Sequence, residues 1–271
     1  MSDIKLSLYS YLFRARAGKF DLDAMVENFS SFADEVVIAT LAVQEDDTLD
    51  RLLKWEDTLD GKLKVLVIDM DIEKNNRFDG DLKTAAMQAC SHPIRVIADG
   101  DERFIASQRG KWDELAKQLL SNSHLDGWMI PVVDLYGHPE YIREDQSLGL
   151  KFRMHKSSVV RRGVPLFAEK GQGLFDTSMS DSTEPCRADG LLASFLCPYD
   201  HSLLHPSICR LLKDECYVIH EGFLNLERRA ELGRTFWAKH WKNRSGKDEN
   251  VATRASDLME VNLVKHNLPL S

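Results

Sequence analysis

The chain has 271 residues, 43% of them hydrophobic, which is enough to bury a core of ordinary size and excludes disorder of the whole chain. Its formal charge of -8 and pI near 5.6 argue against a broad basic face that would follow nucleic acid phosphates by charge alone. No stretch approaches the roughly 18 apolar residues of a membrane span, and the N-terminus lacks the apolar block and cleavage site of a signal peptide, so a cytoplasmic protein is expected, peripheral to a membrane at most.

The first hundred residues alternate β-branched apolar runs with amphipathic segments, the pattern of strand-helix-strand units and a parallel sheet. Four strands are expected, "IKLSLYS" from Ile4, "EVVIATL" from Glu35, "LKVLVID" from Leu63 and "IRVIAD" from Ile94, each nearly continuous in apolar character as a strand covered on both faces should be. Helices are expected over 22–33, 48–58 and 80–90, with Asp47 or Thr48 capping the second. After Asp101 come a helix "KWDELAKQLLSN", a strand "GWMIPVVDLYG" and two hairpin-like runs, "EYIRED" and "GLKFRMHK". The Gly-, Ser- and Asp-rich stretch 168–190 reads as a long mobile loop over the sheet's carboxyl edge. The chain then returns to helix in "NLERRAELGRTFWAKHWKNR". Cys90, Cys186, Cys197, Cys209 and Cys216 are odd in number and lack zinc or redox spacing, so reduced thiols are expected.

Ligands of open α/β sheets bind outside the carboxyl ends of the strands, and "RVIADGDERF" puts acidic residues where the fourth strand stops. Two carboxylates one residue apart can grip a hard divalent cation and leave positions open for the oxygens of a diphosphate. An Asp-x-Asp turn also arises by chance as a capped turn, and the motif alone leaves both readings open.

The run "DGDERF" resembles the branch of family 2 glycosyltransferases whose metal motif continues into Glu and an aromatic, and the resemblance extends over most of the chain. It implies an α/β Rossmann-like glycosyltransferase A-type fold: a mostly parallel central sheet, helices on both faces, antiparallel additions and a C-terminal helix. A catalytic domain over 1–222 is implied, with a nucleotide-binding half 1–104 and an acceptor half 105–222, followed by a helical extension 223–271. "GDLKTAAMQAC" places Lys83 sixteen residues before Asp99, where the family carries a basic residue reaching the donor's phosphates or base. "LYSYLFRARAGKFDLDAMVENFSSFADEVVIAT" resembles the family's opening strand, nucleotide loop, first helix and Asp-Glu approach to strand two, with Tyr9 and Ser10 flanking the nucleotide and Asp46 and Asp47 near the acidic cluster after strand two. The implied donor-binding set is Tyr9, Ser10, Arg14, Thr40, Asp69, Lys83, Asp99 and Gly100. "CYVIHEGF" resembles the closing segment, so that His220 joins Asp99 and Asp101 as ligands of Mn2+ or Mg2+. The helix after it carries Phe236, Trp237 and Trp241 on one face and Arg228, Arg229, Arg234, Lys239, Lys242 and Arg244 as a basic set that could meet an anionic acceptor or membrane.

The implied activity is transfer of a sugar from a nucleotide-diphosphate sugar to an acceptor hydroxyl, with inversion. A saccharide or glycoconjugate acceptor is expected, ahead of a hydroxylated nucleobase or a protein. An inverting transfer needs a base, for which Asp189 in "EPCRADG" is favoured over Asp145 in "YIREDQS", ahead of Glu184 and Asp181. Competing readings are a phosphatase nucleophile in "KVLVIDMDIEK", which lacks the residues expected after its second Asp, a sugar-phosphate nucleotidylyltransferase, whose Gly-rich signature is missing, and a sugar-nucleotide-binding module without turnover.

Overall fold

The computed structural model describes residues 4–16, 18–72, 75, 78–143, 149–157, 208–211, 214–232, 234–235 and 262–268. Strand and helix alternate through the first half: β1 (Leu6–Tyr11), α1 (Leu22–Phe32), β2 (Glu35–Leu41), α2 (Thr48–Thr58), β3 (Leu63–Ile68), α3 (Phe78–Gln88) and β4 (Ile94–Ile97). There follow β5 (Glu102–Arg103), a 3-10 turn Ala106–Gln108, α4 (Arg109–Ser121), β6 (Gly127–Tyr136), β7 (His138–Arg143), β8 (Gly149–Lys156), β9 (Ile208–Arg210), β10 (Val218–Phe223), a short helix Leu226–Leu232 and β11 (Leu263–Lys265). Helix α3 begins two residues before its expected start, and β4 stops at Ile97, which frees Ala98 and Asp99 from the ladder.

All strands join one sheet in the order β11-β7-β6-β8-β4-β1-β2-β3, with β10 on β5 and β6 and β9 on β6. The block β3-β2-β1-β4 is parallel. Strand β8, expected as part of an antiparallel hairpin, lies antiparallel between β4 and β6 and is therefore an interior strand. Gly137, with φ of 69°, makes the tight β6–β7 connection in a region that side-chain-bearing residues avoid.

Side chains of the parallel strands alternate between two cores. Leu6, Leu8, Val36, Ile38, Ile94 and Val96 pack with α1, α2 and α4, while Tyr9, Val37, Ala39 and Ile97 pack with Phe78, Leu82, Ala86 and Met87 of α3. Both faces of the sheet are thus covered, as its continuous apolar strands require. At the amino end, Asp34 accepts the Leu6 amide and the guanidinium of Arg109, and Glu35 accepts the Ser91 amide, which gives the Asp-Glu pair before β2 a structural role. Asp47 is the N-cap residue of α2 but makes no side-chain cap bond, and Asp46 instead accepts the Thr48 amide, while the Thr48 hydroxyl accepts the Ala15 amide. The helix Leu226–Leu232 leans on the loop after β1, with the Arg228 guanidinium 4.0 Å over the Phe20 ring and Lys19 2.6 Å from Glu231. Phe236, Trp237, Trp241, Cys186 and Cys197 lie outside the described residues. Cys90 and Cys216 are buried free thiols, and burial pushes both up to about 12.

Candidate active site at the carboxyl edge

The segment after β4 folds back at once. The Glu102 amide donates to the Asp99 carbonyl at 3.0 Å, closing a turn, and the Glu102 carboxylate accepts the Asp99 amide at 3.1 Å. Glu102 and Arg103 then pair as β5 with β10, which runs parallel to β6 on its other side. This register sets His220 opposite both Glu102 and Asp134. The local irregularity between His220 and Phe223 turns the strand where the site needs it.

The two carboxylates of the Asp-x-Asp turn have different partners. Asp99 meets the Lys83 ammonium at 2.7 Å, the Arg153 guanidinium at 3.0 Å and the Lys151 ammonium at 3.6 Å. Burial pushes its carboxyl up, and the cations of Lys83, Arg153 and Lys151 outweigh this and hold it well below the usual carboxylate range. Both its oxygens are engaged by cations, which places Asp99 within a basic cluster. Asp101 instead has its Oδ2 3.3 Å from His220 Nε2, while His220 Nδ1 meets Asp134 Oδ1. Burial opposes the charge on His220, but Asp101 and Asp134 raise it to about 10, and the imidazolium in turn holds Asp101 low against its own burial. Gly222 makes this closeness feasible, since a Cβ there would lie 2.6 Å from His220 Nε2 and 2.8 Å from Asp101 Oδ2. The Asp101 carbonyl accepts the Glu221 amide at 2.8 Å, tying the turn to β10.

Other expected site residues are placed differently. Tyr9, Ser10 and Thr40, expected beside the nucleotide, are placed wholly within the buried sheet. Tyr9 donates its hydroxyl to His155 Nε2 at 3.0 Å, and the Thr40 hydroxyl accepts from the Gln44 amide group. His155 donates through Nδ1 to the Lys156 carbonyl, and burial lowers it to about 4, so it stays neutral. Arg14 lies at the carboxyl edge with φ of 50°, paired with Glu45 at 3.0 Å. Asp46 is occupied by the Arg16 and Thr48 amides. Gly100 sits within the turn, with space for a Cβ except for Leu12 Cδ1 at 3.2 Å. Asp69 is exposed beyond the edge strand β3, three strand spacings from β4 or about 14 Å. Asp145, Asp181, Glu184 and Asp189 lie outside the described residues.

Sequence reading missed Lys151 and Arg153 on β8, Asp134 on β6 and the pair Tyr11 and Phe13. The alternation Lys151, Arg153, His155 in a strand was a usable signal, since cations are buried only with partners. Tyr11 and Phe13 stack at 6.0 Å between ring centroids, with the Lys83 ammonium 5.5 Å from the Tyr11 centroid. Among the described residues no cluster of three or more His, Cys, Asp or Glu side chains could hold a metal. The donor set Asp101 and His220 fits a divalent cation that takes its remaining positions from substrate phosphates and water.

The sequence matches no family model and no curated protein. Among solved structures, S. aureus TarS 1–349 in complex with UDP is similar at 15% identity and a TM-score of 0.52, over 90% of this chain and 68% of that one. The same protein in complex with UDP-GlcNAc is similar at 14% identity and a TM-score of 0.51, over 90% and 68% of the two chains. The likeness is one of fold, and with the parallel block, the covered faces and the antiparallel additions it establishes that this chain has the glycosyltransferase A-type fold.

Proposed function

We propose that the chain is a metal-dependent glycosyltransferase that moves a sugar from a nucleotide-diphosphate sugar to an acceptor hydroxyl with inversion. The observation that carries this reading is the convergence of Asp101 Oδ2 and His220 Nε2 to 3.3 Å at the carboxyl edge of the sheet, beside the buried cations Lys83, Lys151 and Arg153. Asp101 and His220 would hold Mn2+ or Mg2+, and the bound cation would neutralise the diphosphate and stabilise it as it departs. The basic cluster supplies fixed positive charge next to the same phosphates. That one neighbour of this fold, TarS, was crystallised with UDP and with UDP-GlcNAc supports a nucleotide-sugar donor. A saccharide or glycoconjugate is the proposed acceptor, and Asp189 the proposed base, ahead of Asp145.

The test is calorimetric titration of UDP and GDP in the presence and absence of Mn2+. Wild type is expected to bind one of them far more tightly with Mn2+, and Asp101→Ala to lose that metal-dependent gain while unfolding at an unchanged temperature. Metal-independent binding in wild type, or an unaffected Asp101→Ala, overturns the assignment.

A further inference from the structure

Strand β6 reads GWMIPVVDLY, and Asp134 is its only charged residue and the only one not fully buried. A carboxylate in such a strand is costly without a partner, and the partner the structure gives it is the imidazole of His220. We propose that Asp134 is a positioning residue for the cation site, accepting the Nδ1–H of His220 and so presenting Nε2 to the cation beside Asp101. This rests on the metal-dependent reading above.

Three observations support it. The parallel β6–β10 register places His220 directly opposite Asp134, so the main chain brings the two side chains together. On the other side of the ring, Nε2 faces Asp101 Oδ2 at 3.3 Å, so Asp134, imidazole and Asp101 are held in series. Gly222 lies against the imidazole, with a would-be Cβ 2.7 Å from Cε1, so the absence of a side chain there leaves room for the ring in this position. When His220 is neutral, a proton held on Nδ1 leaves the Nε2 lone pair for the metal, and a hydrogen-bonded carboxylate makes that nitrogen a better donor.

The experiment compares wild type, Asp134→Asn and Asp134→Ala for binding of Mn2+ alone and with UDP or GDP, read from the electron-spin-resonance signal of free Mn2+. Asp134→Ala is expected to bind Mn2+ about 10- to 100-fold more weakly. Asp134→Asn should recover part of the loss, because its amide oxygen still accepts from Nδ1–H. Equal affinities in all three proteins overturn the proposal while leaving the metal site standing. A wild type that binds no Mn2+ under any of these conditions overturns the parent reading and this inference together. A variant-free arm uses long-range proton–nitrogen spectra of wild type loaded with Mg2+: a proton on Nδ1 of His220 is expected, and a proton on Nε2 overturns the proposal.

Discussion

His220 lies between two carboxylates, and its charge decides how the site receives a cation. Without metal, Asp101 and Asp134 overcome the effect of burial and raise its pKa to about 10 from 6.5, so the ring is an imidazolium at neutral pH. Because the folded value is the higher, the resulting stability is fully present below about pH 6.5 and is lost as pH rises through about 10. A cation on Nε2 must displace the proton there, so Mn2+ binding near pH 7 should release about one proton and tighten as pH rises. Calorimetry in two buffers of different ionisation enthalpy measures this, and zero proton release would return His220 to a purely structural role. Gly222 makes a second prediction at this scale. A methyl group at position 222 would fall 2.6 to 2.8 Å from His220 and Asp101, distances that force one of them aside. Gly222→Ala should therefore abolish Mn2+-dependent nucleotide binding with little change in the far-ultraviolet circular dichroism spectrum.

The turn that bears Asp101 is held by the elements beneath it. Asn28 of α1 donates to the Phe104 carbonyl and accepts the Phe104 amide, each at 2.9 Å, while the Phe104 ring packs on Phe29, Phe32 and Trp112 with centroids 5.8, 4.6 and 5.4 Å away. The aromatic that follows "DGDE" thus anchors the turn in the core. Phe104→Ala should cost about 3–5 kcal/mol in denaturant unfolding and should weaken Mn2+-dependent binding, although Phe104 meets neither metal nor donor. How far the sequence was readable follows from which contacts are local. Strands β1, β2 and β4 were plain because both faces are largely buried and their apolar runs are nearly continuous, and β3 because its run stays apolar although it lies half-exposed at the sheet edge. The family resemblance singles out Lys83 sixteen residues before Asp99, and the structure pairs the two at 2.7 Å, but the pairing of β8 with β4 spans more than fifty residues, and no local pattern announces it. The run bearing Lys151 and Arg153 therefore reads only as hairpin-like in the sequence. For Tyr9 the difficulty is the opposite one: a polar residue in a buried strand reads like a ligand contact in the sequence, and its protein partner, His155, is distant in the chain.

In the whole molecule, the candidate site is assembled from both halves of the chain: Lys83, Asp99 and Asp101 from the first, and Asp134, Lys151, Arg153 and His220 from the second. Neither half alone could bind a metal-bound diphosphate in this way, so donor binding should stabilise the fold as one unit. At a hundredfold excess of donor over its dissociation constant the gain is about 2.7 kcal/mol, readable as a rise in unfolding temperature. That linkage separates donor binding from turnover and so tests the proposed base. A group that only removes the acceptor's proton does nothing for the donor complex, so Asp189→Asn should keep the full donor-induced shift with Mn2+ while transfer falls by about 10²–10⁴-fold. Asp145→Asn should keep both. Acceptors that are already strong nucleophiles at neutral pH should regain part of the Asp189→Asn rate, because they no longer need proton removal in the transition state. Loss of transfer in Asp145→Asn with Asp189→Asn still active would move the base to the Glu144-Asp145 pair. A loss of the donor-induced shift in Asp189→Asn would instead make that residue part of donor binding.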